Sequence, residues 1–151
     1  MPLDDIVVPN VQAALVNSMQ NGGPLQGMLG AIRYGEQFSV AQAPELWILN
    51  KGGNFPEKEG STLEQSDWVL TLKCLYPFAN DQKQAEDILA ALIEPIRQTF
   101  RAHIKIGAPT QIARARILSE DFSWTVVNEV IYRVVELKLA VREKVHVDFF
   151  A

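Results

Sequence analysis

The stretch VVELKLAVREKVHVDF, from Val134 to Phe149, decides how this chain is read. Its odd positions carry Val135, Leu137, Leu139, Val141, Val145, Val147 and Phe149, interrupted only by Glu143, while its even positions carry Glu136, Lys138, Arg142, Lys144, His146 and Asp148. A period of two places one set of side chains on one face of an extended strand and the other set in water. The pattern predicts a half-buried antiparallel strand. It is far longer than the usual five or six residues, so it is expected to overhang its own sheet, bend at a bulge, or pair with another subunit, with the part from Glu143 onward as the place to look.

Working outward, the strand needs apolar partners. Trp68, Leu70, Leu72, Cys74 and Tyr76 alternate in a strand predicted over Ser66 to Tyr76, and Ala113, Ala115 and Ile117 do so in another over Ile112 to Leu118. A compact apolar run, Leu46 to Leu49, predicts a further strand from Glu45 to Asn50. Ser119, Glu120 and Asp121 read as a turn, and residues 125–133 fit either a helical stripe or, by their β-branched density, a strand from about Val130.

Two helices complete the pattern. Val11, Ala14, Leu15 and Met19 recur at helical spacing behind Pro9, which suits a first turn, and Gly22, Gly23 and Pro24 end that helix. Asn80 is a good N-cap for a second helix running to about Arg101, with Ala85, Ile88, Leu89, Leu92, Ile96 and Phe100 as its stripe. Pro95 lies inside it and is expected to kink or divide it. Leu25 to Gln37 reads as irregular, with a short helical turn around Met28 to Ile32. Lys51 to Gln65, KGGNFPEKEGSTLEQ, reads as an exposed loop. The expected fold is therefore α+β: a single domain in the order α-β-β-α-β-β, with a mainly antiparallel sheet packed against two helices.

Composition agrees with one globular unit. The chain has 151 residues, 48% hydrophobic and 21% charged, and a net charge of −4. Its apolar runs are far shorter than the roughly 20 residues that span a bilayer, so no membrane association is expected. The start, MPLDDIVVPN, has no basic region before its apolar residues, which argues against a secretory signal. One cysteine, Cys74, cannot form an internal disulfide and sits in a core row, so a buried thiol is expected.

Catalytic chemistry finds no support in the spacing of residues. The two histidines, His103 and His146, belong to no ligand cluster, the acidic pairs fall in loops or on polar faces, and no phosphate loop, nucleophile elbow or zinc spacing is present. No catalytic residue, cofactor or metal is expected. Charge is nevertheless uneven. Arg97, Arg101, His103, Lys105, Arg114 and Arg116 follow one another without an acid, whereas acids outnumber bases from residue 1 to 67. A basic region of that kind fits contact with a neighbouring subunit, contact with nucleic acid, or a solvated face.

The element order, the long polar loop, the helix opening at AND in Ala79 to Asp81, and the paired carboxy-terminal strands together resemble the tail-terminator, or tail-completion, proteins of long-tailed bacteriophages. The resemblance spans roughly Val7 to Phe149 and rests on pattern, because that family has no short signature motif. It implies a structural virion protein, made in the host cytoplasm and placed in the tail or neck, that caps the tail tube as a ring. Such a ring ends tube polymerisation and joins the tail to the head connector. The implied partners are the protein itself, as a homo-oligomeric ring expected to be a hexamer, the major tail tube protein, the head-tail connector protein, and transiently DNA passing through the ring. Lys51, Glu57, Lys58, Glu59, Arg97, Arg101, Lys105, Arg114 and Arg116 are the expected interface residues. Alternatives are another neck or minor tail component, and a small cytoplasmic α+β enzyme or ligand-binding domain.

Overall fold

A computed structural model of the protein describes residues 8–20, 22–54, 63–78, 82–102 and 112–146. In chain order its elements are α1 (Val8–Ser18), β1 (Ala31–Tyr34), β2 (Glu45–Asn54), β3 (Leu63–Pro77), α2 (Gln82–Ala102), β4 (Ile112–Val127) and β5 (Val130–His146). The five strands form one sheet in the order β1-β2-β3-β5-β4, antiparallel throughout except for β1 against β2. The α+β reading holds, with β1 added to the expected order.

The alternation in β5 acts as predicted. Val135, Leu137, Leu139 and Val141 are buried on the face that carries both helices, where they meet Leu70, Leu72 and Cys74 of β3 and Leu89, Leu92, Ile96 and Phe100 of α2. Lys138 and Arg142, on the other face, are exposed. Of the three uses expected for the length of β5, overhang of its own sheet is not met over the described residues. β3 is nearly as long and pairs with it from Pro77–Tyr132 to Leu63–His146, and β4 covers its other side as far as Ile112–Glu143. The length is consumed inside the subunit.

The pairing corrects two sequence expectations and resolves a third segment. Ser119, Glu120 and Asp121 are not a turn but the middle of β4, where a register shift between Ile117 and Ser119 marks a β-bulge at Leu118. One extra residue moves the inward set from Ala115 and Ile117 to Phe122, so the apolar phase changes and a continuous strand looks broken. The true turn is Asn128–Glu129, with φ of 49° and 66°, a two-residue hairpin connection of the kind that matches strand twist. It resolves 125–133 as strand, turn, strand. Residues 31–34, read as irregular, form β1, which is too short to display a period and pairs in parallel with Glu45–Ile48. Gly30 permits this approach, since a Cβ there would lie 2.4 Å from the Gln42 carbonyl oxygen.

The exposed loop is also narrower than expected. β2 runs to Asn54, with a register shift between Asn50 and Gly53, and β3 begins at Leu63, so only 55–62 lie between them, outside the described residues. The Asn80 cap likewise lies outside them.

Pro95 does not divide α2, which is continuous from Gln82 to Ala102. The proline removes the N–H that would have bonded the Ala91 carbonyl, and one turn later the Pro95 carbonyl accepts the Thr99 hydroxyl at 2.9 Å. With its proton committed there, Thr99 Oγ1 accepts from Ser18 Oγ at 2.7 Å, a buried link between α2 and the end of α1.

Cys74 is fully enclosed in the core, and burial raises its thiol from an ordinary 9.0 to about 12. The folded protein keeps the thiol protonated while an unfolded chain begins to ionise near pH 9. The stability associated with Cys74 is therefore complete below about pH 9 and is lost as pH rises toward 12. The difference in unfolding free energy between the native protein and Cys74→Ala is expected to shrink by about 1.4 kcal/mol per pH unit in that window. Denaturant titrations of both at pH 8, 9.5 and 10.5 would read it, and a constant difference would contradict it.

A second, smaller core lies on the opposite face. Trp47, Leu49, Leu75, Val127, Tyr132 and Val134 pack there with Val40 of the 35–44 segment. Glu45 is fully buried beside them: its Oε2 accepts the Trp47 indole N–H at 2.6 Å, and its Oε1 accepts Arg33 Nη2 at 2.9 Å, Arg33 Nε at 3.2 Å and the Ala41 amide at 3.2 Å. This carboxylate fastens the 35–44 segment to the sheet.

Candidate interaction surface

The long β4–β5 hairpin organises the exposed surface. Beyond the Gln82 end of α2 its helix-side face is no longer covered, and there Trp124 (52% exposed), Val126 (66%) and Ile131 (51%) meet water together. With Phe78, Gln82 and Thr125 they line an open groove of about 630 Å³.

This apolar tip is held in place from below. Arg133, opposite Trp124 in the ladder, lies 4.6 Å from the Trp124 ring and 5.4 Å from the Phe122 ring, donates to the Ser123 carbonyl at 3.0 Å, and reaches Glu86 of α2 at 3.1 Å. Phe78 meets Trp124 edge-on at 4.3 Å, and its amide donates to the Ile131 carbonyl at 2.9 Å. Guanidinium stacking and an edge-to-face ring pair fix the indole without burying it. Rigid exposed aromatics of this kind are typical interface anchors.

A second apolar point lies farther along β4. Leu118, the bulged residue, is 50% exposed and sits between two grooves. One is lined by Ile93, Arg97, Ile117, Ser119 and Glu120, and the other by Trp68, Val69, Arg116, Ala140, Val141 and Arg142.

The expected interface residues divide accordingly. Arg97 on α2 and Arg116 on β4, both exposed, are brought to opposite sides of Leu118. Arg101 is exposed but pairs with Glu94 at 2.9 Å, a solvated ion pair of small energetic weight. Arg114 and Lys51 are placed in β4 and β2 at the level of backbone only, and Glu57, Lys58, Glu59 and Lys105 lie outside the described residues. Sequence reasoning missed Phe78, Trp124, Val126 and Ile131. The available signal was the alternation of Phe122, Trp124 and Val126 behind the bulge.

Among the described residues no group of three or more His, Cys, Asp or Glu side chains is arranged to hold a metal ion, and no helix is long and apolar enough to cross a membrane.

No protein-family model and no curated protein matches the sequence. Solved structures share the fold. A chain of the "Virion of native gene transfer agent (GTA) particle" aligns with 93% of this chain and 99% of its own length, with a TM-score of 0.58 and 12% identity. A second solved structure aligns over 90% of this chain and 96% of its own, with a TM-score of 0.50 and 12% identity. At that identity the likeness is one of fold.

Proposed function

We propose that this protein is a structural virion component without enzymatic activity that caps a phage-like tail tube as a homo-oligomeric ring, ends tube polymerisation and joins the tail to the head connector. The observation that carries this reading is the near end-to-end sharing of its fold with a chain of a gene transfer agent virion. The described surface supports it in kind. Two exposed apolar points on one long hairpin, each beside charged residues, suit contacts between proteins. The tail tube protein on one side and the head connector on the other are the proposed partners, with a hexamer as the proposed ring. Surface complementarity, with no bond made or broken, performs the task.

Inactivating the gene in the phage or agent that encodes the protein tests this directly. Tails of uncontrolled length without attached heads are expected by electron microscopy, with normal tails restored when the purified protein is supplied during assembly. Normal, head-bearing tails in its absence would overturn the proposal.

A further inference from the structure

We infer that the β4–β5 tip of one copy docks head-to-tail on the Leu118 groove of a second copy of this chain, and that this contact builds the ring. The inference rests on the ring reading above for its use, but its argument is the surface itself.

The tip meets α2 at Gln82, its start, and the Leu118 groove meets it in its second half, at Ile93 and Arg97. Arg97 stands fifteen residues after Gln82, about 22 Å along the helix at 1.5 Å per residue, so one copy cannot satisfy its own tip. Their charges also oppose each other. At the tip the groove lining itself carries no charge, Glu86 is paired with Arg133, and the exposed acid of the β4–β5 turn is Glu129. The two grooves at Leu118 are lined by exposed Arg97, Arg116 and Arg142 with Glu120 as the acid, while Arg101 and Glu94 pair with each other and Asp121 is exposed farther along β4. An acid-flanked apolar projection and a base-flanked apolar groove are complementary between copies and mismatched with themselves. Two copies meeting tip to tip would oppose Glu129 to Glu129. That asymmetry makes the contact heterologous, the kind that closes into rings when the rotation between copies allows it. Trp124 supplies the anchor, already immobilised by Arg133 and Phe78, so little side-chain freedom is lost on docking.

A mixing experiment separates this arrangement from others. Val126→Lys removes an exposed apolar contact and sets a cation opposite the basic groove, and Arg97→Glu reverses the groove. Ile131→Lys serves as a second tip variant. Circular dichroism and thermal unfolding identify any variant that misfolds, which is then replaced by the other. Sedimentation velocity at high concentration is expected to show assemblies larger than dimers for the native protein. Each variant alone is expected to self-associate at least about 30-fold more weakly. An equal mixture of Val126→Lys and a groove variant of like charge, Leu118→Lys, is expected to form a dimer that grows no further, because each copy retains one intact surface and the two altered surfaces repel.

Native-like assembly by a tip variant overturns the inference, as does a mixture that stays monomeric or a native protein that never self-associates. Arg97→Glu assembling normally while Val126→Lys does not would overturn the groove and replace it with a tip-to-tip pair. The virion role fails separately. Disrupted rings with unaffected tail termination would remove the function and keep the contact, whereas rings intact in every variant on normally terminated tails would remove the contact and keep the function.

Discussion

Glu45→Ala is expected to lower the unfolding free energy by about 3 kcal/mol, among the largest effects of any single substitution outside the main core. The carboxylate is fully buried and accepts from three residues: Arg33, Ala41 and Trp47. Their fates differ when it is removed. The Arg33 side chain is 31% exposed and its guanidinium also reaches Gln37 and the Ser39 carbonyl, so its charge can recover hydration. The Trp47 indole N–H, on a residue with no exposed surface, has no such route. Most of the loss therefore comes from a stranded donor and the space left behind, with less from the broken ion pair. Glu45→Gln keeps an acceptor and the volume and should cost about half as much. Urea unfolding measures both, and exchange of the Ala41 amide should accelerate in the alanine variant as the 35–44 segment loosens. A loss under 1 kcal/mol for Glu45→Ala would show that the carboxylate does not fasten that segment.

The second large effect belongs to β5. Leu137 is completely buried, paired with Leu72 on one side and Glu120 on the other, and faces α2. Leu137→Ala is expected to cost about 3 kcal/mol, the sum of lost transfer energy and a cavity that a close-packed sheet cannot collapse. Its neighbour Lys138 points the other way into water, and Lys138→Ala should lie within about 0.5 kcal/mol of the native protein. The contrast between adjacent residues is the measurable form of the two-residue period. Comparable losses at both positions would mean that the face opposite the helices is covered.

Much of the fold was legible because the elements that carry it obey one period without interruption. The β5 alternation, the Trp68 to Tyr76 row and the α2 stripe each settled their own face and predicted the core now seen between sheet and helices. What escaped notice did so for local reasons. A bulge at Leu118 changed the phase of β4 midway, so its second half resembled a turn followed by an ambiguous segment. Four residues of β1 cannot show a period, and their pairing with β2 is a parallel contact that only the assembled sheet creates.

The candidate interaction surface was legible only in part. Arg97 and Arg116 were expected from charge alone, but Leu118, the residue between them, carries no charge signal and becomes noticeable only when α2 and β4 bring the two arginines to either side of it. Trp124, Val126 and Ile131 read as ordinary strand residues. Their exposure comes from the hairpin extending past the start of α2, a fact of relative element lengths and not of any residue's identity.

The position of β5 has a consequence for how the chain reaches its fold. It is the last described element, yet it lies between β3 and β4 and supplies the sheet partner of both. During synthesis β3 can pair only with β2, and β4 has no strand beside it until β5 emerges. The β4–β5 hairpin can form within about 10 microseconds of its release, through its two-residue turn. Joining it to β3 must then close the chain across the whole of α2, from Leu63 to His146 at the widest pair. Non-local pairing of that kind belongs to the slow end of single-domain folding, on the order of milliseconds to seconds. The core thus closes only after translation has delivered the end of the sheet. A chain stopped before Val130 would leave β3 and β4 with open edges and be prone to aggregate.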